Sequence, residues 1–234
     1  MNRKRRGTFT EVHHEVHHEV HNERHYEGVD PGWFKIGKPF PEMGPAPPQH
    51  DPGRMVLVYL DLEEELLAAA GPVAHSGLMK RMIVLGRLAG IFQMPALISL
   101  LRTEKGSRRG VLEQKLHSLF PAVPILPRTE TNAWEHCDFV GAIRQTKCKS
   151  LILAGIGLDP AAVFTALTAV SQGYQVFMVI GEEEEKTVVT ESVIQQMILA
   201  GVCLISWKTL AFVLQRDWCL PTSSSVLDLF SEFE

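Results

Sequence analysis

Cysteine is scarce and scattered. Cys137, Cys148, Cys203 and Cys219 form no C-x-x-C pair and no dense framework, which argues against a disulfide scaffold and for free thiols in a reducing compartment, the cytoplasm. Long hydrophobic runs are missing as well. The most apolar window, Leu151 to Val170, is interrupted by Asp159 and Pro160, so it reads as strand plus helix rather than as a membrane span. The basic start, Met1 to Gly7, is followed by no apolar core, and no secretory signal is expected. Nor is there an excess of one charge. A formal net charge of −4 gives no general attraction to nucleic acid or anionic membrane, and neither is expected as a partner. What is present is bulk: 234 residues, 45% hydrophobic, enough for one well-buried domain with a short appendage.

The appendage is the N-terminal part. Residues 1–53 carry a basic cluster, Arg3-Lys4-Arg5-Arg6, then a His/Glu repeat, then a Pro/Gly-rich stretch through Pro52-Gly53; this segment is expected to be irregular and to lie outside the core. Within the repeat, His14-Glu15-Val16-His17-His18 satisfies the H-E-x-x-H pattern of zinc hydrolases. The match arises from the four-residue period Glu-Val-His-His, and catalytic zinc also needs a third ligand and a dry cavity. If helical, the period puts His13, His17, His21 and His25 in one row, where adventitious metal binding is the expectation and a functional site is not. The basic cluster reads as a solvated terminus, with a nuclear address as the alternative.

From residue 54 to 234 short β-rich apolar runs alternate with amphipathic segments, the pattern of a single three-layer α/β/α domain with a six-stranded, mainly parallel sheet. Strands are expected near Met55 to Leu60, Ala96 to Leu100, Val123 to Leu126, Ser150 to Ala154, Gln175 to Ile180 and Val202 to Ser206. Helices are expected near Gly77 to Gln93, Leu112 to Leu119, Ala133 to Gln145, Pro160 to Gln172, Val188 to Ala200 and Trp207 to Arg216. Such sheets bind ligands at the carboxyl ends of their strands. Asp61, the Pro127-Arg128 turn and the turn Gly155 to Ala161 all fall at that edge. The last is built like an active-site turn: Asp159 is placed to cap a helix that Pro160 begins, and Ala161 sits in the first helical turn. There the helix dipole would lower a thiol pKa or hold an anion. Alanine uses neither effect.

Several motifs, in order, resemble the isochorismatase-like cysteine hydrolases, and among them the YcaC-like subgroup. Val58-Tyr59-Leu60-Asp61-Leu62-Glu63 looks like the first-strand V-x-D-x-Q motif, and Asn132-Ala133-Trp134 like the N-A-W motif continued by Asp138-Phe139-Val140. Ala169-Val-Ser-Gln-Gly-Tyr-Gln-Val176, Met197-Ile-Leu-Ala-Gly201, Ser206-Trp207 and Gln215-Arg-Asp-Trp218 follow the subgroup's later landmarks. The resemblance runs from about Met55 to Phe230 and implies the fold just described. It also implies hydrolysis of amide or related C–N bonds by an Asp, Lys, Cys triad. The family's aspartate matches Asp61; its lysine falls on Arg128 or, without a gap, on Pro127; its cysteine falls on Ala161. The loop after the fifth strand is Gly181-Glu182-Glu183-Glu184-Glu185, a poor lining for a thiolate site.

Three readings follow. In the first, the domain is a catalytically impaired homologue working as a binding or assembly subunit. In the second, it is an active hydrolase in which Asp61 activates a water that Arg128 orients; that reading requires an open cleft where the two converge near Ala161. In the third, the His-rich extension binds a metal or partner. Asp61 and Arg128 are equally readable as a structural ion pair. Asn132, Trp134, Gly157, Leu158 and Asp159 are the candidates for contacting a small-molecule ligand. The four cysteines read as inert thiols. No cofactor and no metal in the domain are expected, and the resemblance implies a homo-oligomer.

Overall fold

In the computed structural model, residues 51–62, 72–102, 116, 118, 121–181 and 188–233 are described. All belong to one unit, Pro48–Glu234. The strands are β1 (Met55–Leu60), β2 (Ala96–Leu101), β3 (Ile125–Arg128), β4 (Ser150–Ala154), β5 (Gln175–Val179) and β6 (Cys203–Ile205). The helices are α1 (Pro72–Ile91), α2 (Cys137–Thr146), α3 (Pro160–Ser171), α4 (Val188–Ala200), α5 (Trp207–Gln215) and α6 (Ser223–Phe233), with 3-10 turns at Pro52–Arg54 and Ala133–Glu135.

All six strands pair in parallel, in the order β3-β2-β1-β4-β5-β6. Parallel strands need helical crossovers that cover both faces, so the central strands must be apolar on both sides. Every residue of β1 and of β4 is buried. Alternate side chains feed two cores. Met55, Leu57, Tyr59 and Ile152 pack with α1, α5 and α6 on one face, and Val56, Val58, Leu151 and Leu153 pack with α2, α3 and α4 on the other. Tyr59 keeps its hydroxyl satisfied in the first core by donating to the Met82 carbonyl at 2.8 Å. Strand order reverses between β1 and β4, so the crevice of such a sheet opens at their carboxyl ends.

Several expected boundaries move. The third strand is Ile125–Arg128, so Pro127-Arg128 is the end of a strand and not a turn. Proline is tolerated because β3 is the sheet edge: the carbonyls of Pro124 and Arg128 accept from the Ile98 and Arg102 N–H groups, which turns the Pro127 nitrogen away from the ladder. The helix expected over Ala133 to Gln145 is split at His136, which is extended at φ −92, ψ 118, leaving a short 3-10 turn before α2. The first helix begins at Pro72, five residues ahead of Gly77. Helix α6 was not expected at all. The expected helix at Leu112 to Leu119 is described only at Leu116 and Ser118, both helical. Residues 1–50, the Glu182 to Glu185 run and the calls placed on them lie outside the described residues.

Candidate functional site

The chain leaves β1 through Asp61, whose backbone lies in the left-handed region at φ 52. Aspartate is one of the few non-glycine residues that adopt it readily. This sharp turn, pinned by the Asp61 N–H donating to the Ser99 carbonyl at 3.0 Å, keeps the carboxylate over the sheet edge. Arg128 ends β3, two strands away, and its side chain crosses the end of β2. Its Nη2 donates to Asp61 Oδ2 at 2.5 Å. The pair is thoroughly buried, with side-chain exposures of 0% for Arg128 and 5% for Asp61. Contact is through one oxygen only. Asp61 Oδ1 and Arg128 Nε and Nη1 have no hydrogen-bond partner among the described residues, and neither does the buried Ser99 hydroxyl on the intervening strand.

Burial pushes the Asp61 carboxyl above its ordinary pKa, because a charged form is costly out of water. The Arg128 cation and its hydrogen bond oppose that rise, while the negative charge of Asp159 adds to it. Asp159 thus lies close enough to Asp61 to be felt, which brings the start of α3 to the same edge.

That start is built as the residue types dictate. Asp159 is the N-cap and accepts from the Ala161 N–H at 2.8 Å, with Pro160 at the first helical position. Ala161 is 3% exposed. The preceding turn depends on two glycines. Gly157 takes φ +59. At Gly155 a Cβ would stand 2.7 Å from the Leu60 carbonyl oxygen, so only glycine lets the turn approach the end of β1 so closely. Arg81, buried on α1, donates to the Gly155 carbonyl at 3.4 Å from the opposite side. Leu158 packs against the second core.

Asn132 and Trp134 are engaged a little away from this cluster. Asn132 caps its 3-10 turn by accepting from the Trp134 N–H at 3.1 Å, and its amide donates to Thr168 Oγ1 at 3.0 Å on α3. The Trp134 ring meets Phe139 edge-on at 5.7 Å and Tyr174 at 5.2 Å, and its buried Nε1 lacks a partner among the described residues. These contacts tie the N-A-W segment to α2 and α3.

The sequence thus brings Asp61, Arg128, Asp159 and Ala161 to one edge. It gave no notice of Arg81 or Ser99, although each leaves a trace: a cation inside the apolar helical run Leu78 to Leu85, and a hydroxyl inside the apolar strand Ala96–Leu101. Of the cavities among the described residues, one of about 460 Å³ lies at the carboxyl ends of β5 and β6 and shares Arg81 with the Gly155 turn. Asp61, Arg128 and Ala161 line none of the described cavities. No three His, Cys, Asp or Glu side chains among the described residues converge as a metal site would require. No helix among the described residues is long and apolar enough to cross a membrane. Cys137, Cys203 and Cys219 are exposed free thiols and Cys148 is a buried one.

No family model matches the sequence. Relatives and solved structures do. The chain is 30% identical over 170 residues to the probable hydrolase YcaC of Escherichia coli K12, an alignment spanning 72% of this chain and 81% of that protein. The crystal structure of the Escherichia coli YcaC gene product, described as an octameric hydrolase of unknown specificity, superposes with a TM-score of 0.70 at 29% identity, over 81% of this chain and 92% of that one. YcaC from Pseudomonas aeruginosa, solved with hexane-2,5-diol and covalent acrylamide, gives a TM-score of 0.68 at 27% identity, over 78% of this chain and 91% of that one. With the six-stranded parallel sheet, these matches establish that the chain belongs to the isochorismatase-like hydrolase family, among its YcaC-like members.

Proposed function

We propose that this chain is a catalytically impaired member of the family that works as a binding or assembly subunit in the cytoplasm. The observation that carries the reading is Ala161, a buried methyl side chain in the first turn of α3, at the position where the family motif carries its attacking cysteine. A strand-to-helix turn of this build serves catalysis by presenting a nucleophile to the dipole's positive end. Here the cap, the proline and the glycine turn remain without one. The state of Asp61 and Arg128 points the same way: each holds the other in a buried pair that lines none of the described cavities. Like the octameric YcaC of Escherichia coli, this chain then acts as a homo-oligomer.

One observation favours an active enzyme instead. Asp61 Oδ1, Arg128 Nη1 and the Ser99 hydroxyl are buried at one edge without partners among the described residues, a set able to hold and polarise a water.

Ammonia release from a panel of small primary amides and ureides distinguishes the two. The expected result is silence in the wild type and measurable turnover in Ala161→Cys, as the restored thiol gains the helix dipole. Turnover by the wild type that survives in a Cys-free variant overturns the proposal, because hydrolysis would then proceed without any thiol.

A further inference from the structure

Helices α5 and α6 carry a connected strip of exposed aromatic and aliphatic side chains. Phe212 is 55% exposed, Leu227 53% and Trp218 39%. They are joined through half-buried rings: Phe212 meets Trp218 at 5.4 Å and Phe230 at 5.4 Å, and Phe230 stacks on Trp207 at 5.3 Å. Leu227 lies one helical turn from Phe230 on the same face of α6. Single exposed apolar residues mean nothing, but a contiguous aromatic strip is the composition of an interface core.

We propose that this strip is a twofold contact surface for a second copy of the same chain, and the proposal rests on the assembly reading above. The rim supplies the reason for choosing that occupant. Exposed Lys208 and Arg216 share these segments with exposed Asp217, Asp228 and Glu232, so the surface carries both signs of charge. A contact related by a twofold axis needs a surface complementary to itself, so that each cation can face the partner's anion. An anionic lipid surface would call for cations alone, and a partner of one charge sign would call for the opposite one. Cys219, adjacent to Trp218 in the chain and exposed in the single chain, becomes covered in the proposed contact.

The test is light-scattering mass of the full-length chain at micromolar concentration, wild type against Phe212→Glu with Leu227→Glu, together with the rate at which a maleimide labels Cys219 relative to Cys137, resolved by peptide mass. The expected wild type has a mass that is a whole-number multiple of 26.1 kDa and a Cys219 that labels more slowly than Cys137. In the double variant the mass falls to half or less, since a closed assembly loses one class of contact, and the slow labelling of Cys219 is lost. Both substituted side chains are exposed, so the fold survives the change, and the circular-dichroism melt verifies it. An assembled wild type whose mass and labelling are unchanged in the folded double variant overturns this surface while leaving the assembly reading intact. A wild type of single-chain mass overturns both. Should the double variant unfold, the wild-type labelling alone decides: Cys219 reacting as fast as Cys137 overturns the surface.

Discussion

At the ends of β1 and β3 the chain keeps a pair of charges, whereas at the start of α3, on the same sheet edge, it keeps only the shape of a turn. Asp61 and Arg128 are buried, ionisable and joined by one short hydrogen bond. The α3 start has a complete cap, a proline, one glycine with no room for a Cβ and a second in the left-handed region, arranged around an alanine. The difference is instructive because the two halves cost different things to retain. A buried ion pair is weak evidence for stability, since desolvation can exceed the attraction; once present, however, it is expensive to break from one side. The turn, by contrast, is backbone geometry on which the β1-β4 junction depends, whether or not a nucleophile stands in it. Structural reasons alone are therefore enough to hold both halves in place.

The largest expected effect breaks the charged half asymmetrically. Asp61→Asn leaves the Arg128 guanidinium buried without its counter-charge, and arginine cannot escape by losing its proton; a loss of about 3–5 kcal/mol in denaturant unfolding at neutral pH is expected. Arg128→Met leaves a carboxyl that burial already pushes towards its neutral form, so the loss should be clearly smaller. Equal losses would show that the guanidinium is paired elsewhere. The turn half is expected to break next. Gly155→Ala forces a methyl group within 2.7 Å of the Leu60 carbonyl, and the backbone must shift at the β1-β4 junction; about 1–3 kcal/mol is expected, measured in the same way.

Much of this architecture could be read from the chain. Strands β1 and β4 and helix α4 occupy the ranges expected from sequence, because a strand buried on both faces is an unbroken apolar run and α4 lies between clear boundaries. The errors have local causes. Pro127 looks like a strand terminator, and only the knowledge that β3 is an edge makes it acceptable. The Thr222 to Ser225 run looks like a loop, yet Val226, Leu229, Phe230 and Phe233 beyond it follow a helical period. At the site, the residues of the edge were legible but their pairing was not. Sequence left Arg128 open as ligand binder or structural partner, and whether a side chain two strands away reaches across β2 depends on strand order, which no local pattern encodes.

The pH dependence of stability sharpens the charged half further. Because the folded Asp61 holds its proton more tightly than the unfolded carboxyl, the folded state binds the extra proton between the ordinary carboxylate pKa of 3.8 and the raised value. Stability contributed there is present at the acid side of that window and is lost as pH rises through it. Removing the Arg128 cation takes away an influence that lowers the Asp61 pKa, so the window in Arg128→Met extends to higher pH and its stability falls further, as pH rises above the ordinary carboxylate value, than that of the wild type. Each tenfold change in proton affinity corresponds to about 1.4 kcal/mol. Parallel profiles for the two proteins would mean that Arg128 does not govern the ionisation of Asp61.

Asp159 joins the two halves, and its removal is the smallest and most discriminating change. As the cap of α3 it satisfies the Ala161 N–H, and Asp159→Ala should cost about 1 kcal/mol for that reason alone. Its negative charge also raises the Asp61 pKa, so the same substitution relieves repulsion against the buried carboxylate and moves the window of falling stability towards acid. The two effects have opposite signs at neutral pH and only the second depends on Asp61. In Arg128→Met, where Asp61 shifts towards its neutral form, the relief is expected to be smaller and the net cost of Asp159→Ala correspondingly larger. A double-mutant cycle between Asp159→Ala and Arg128→Met, followed by denaturant unfolding at neutral pH, measures that coupling. Additive losses would mean that the cap and the ion pair share an edge of the sheet without sharing an electrostatic site.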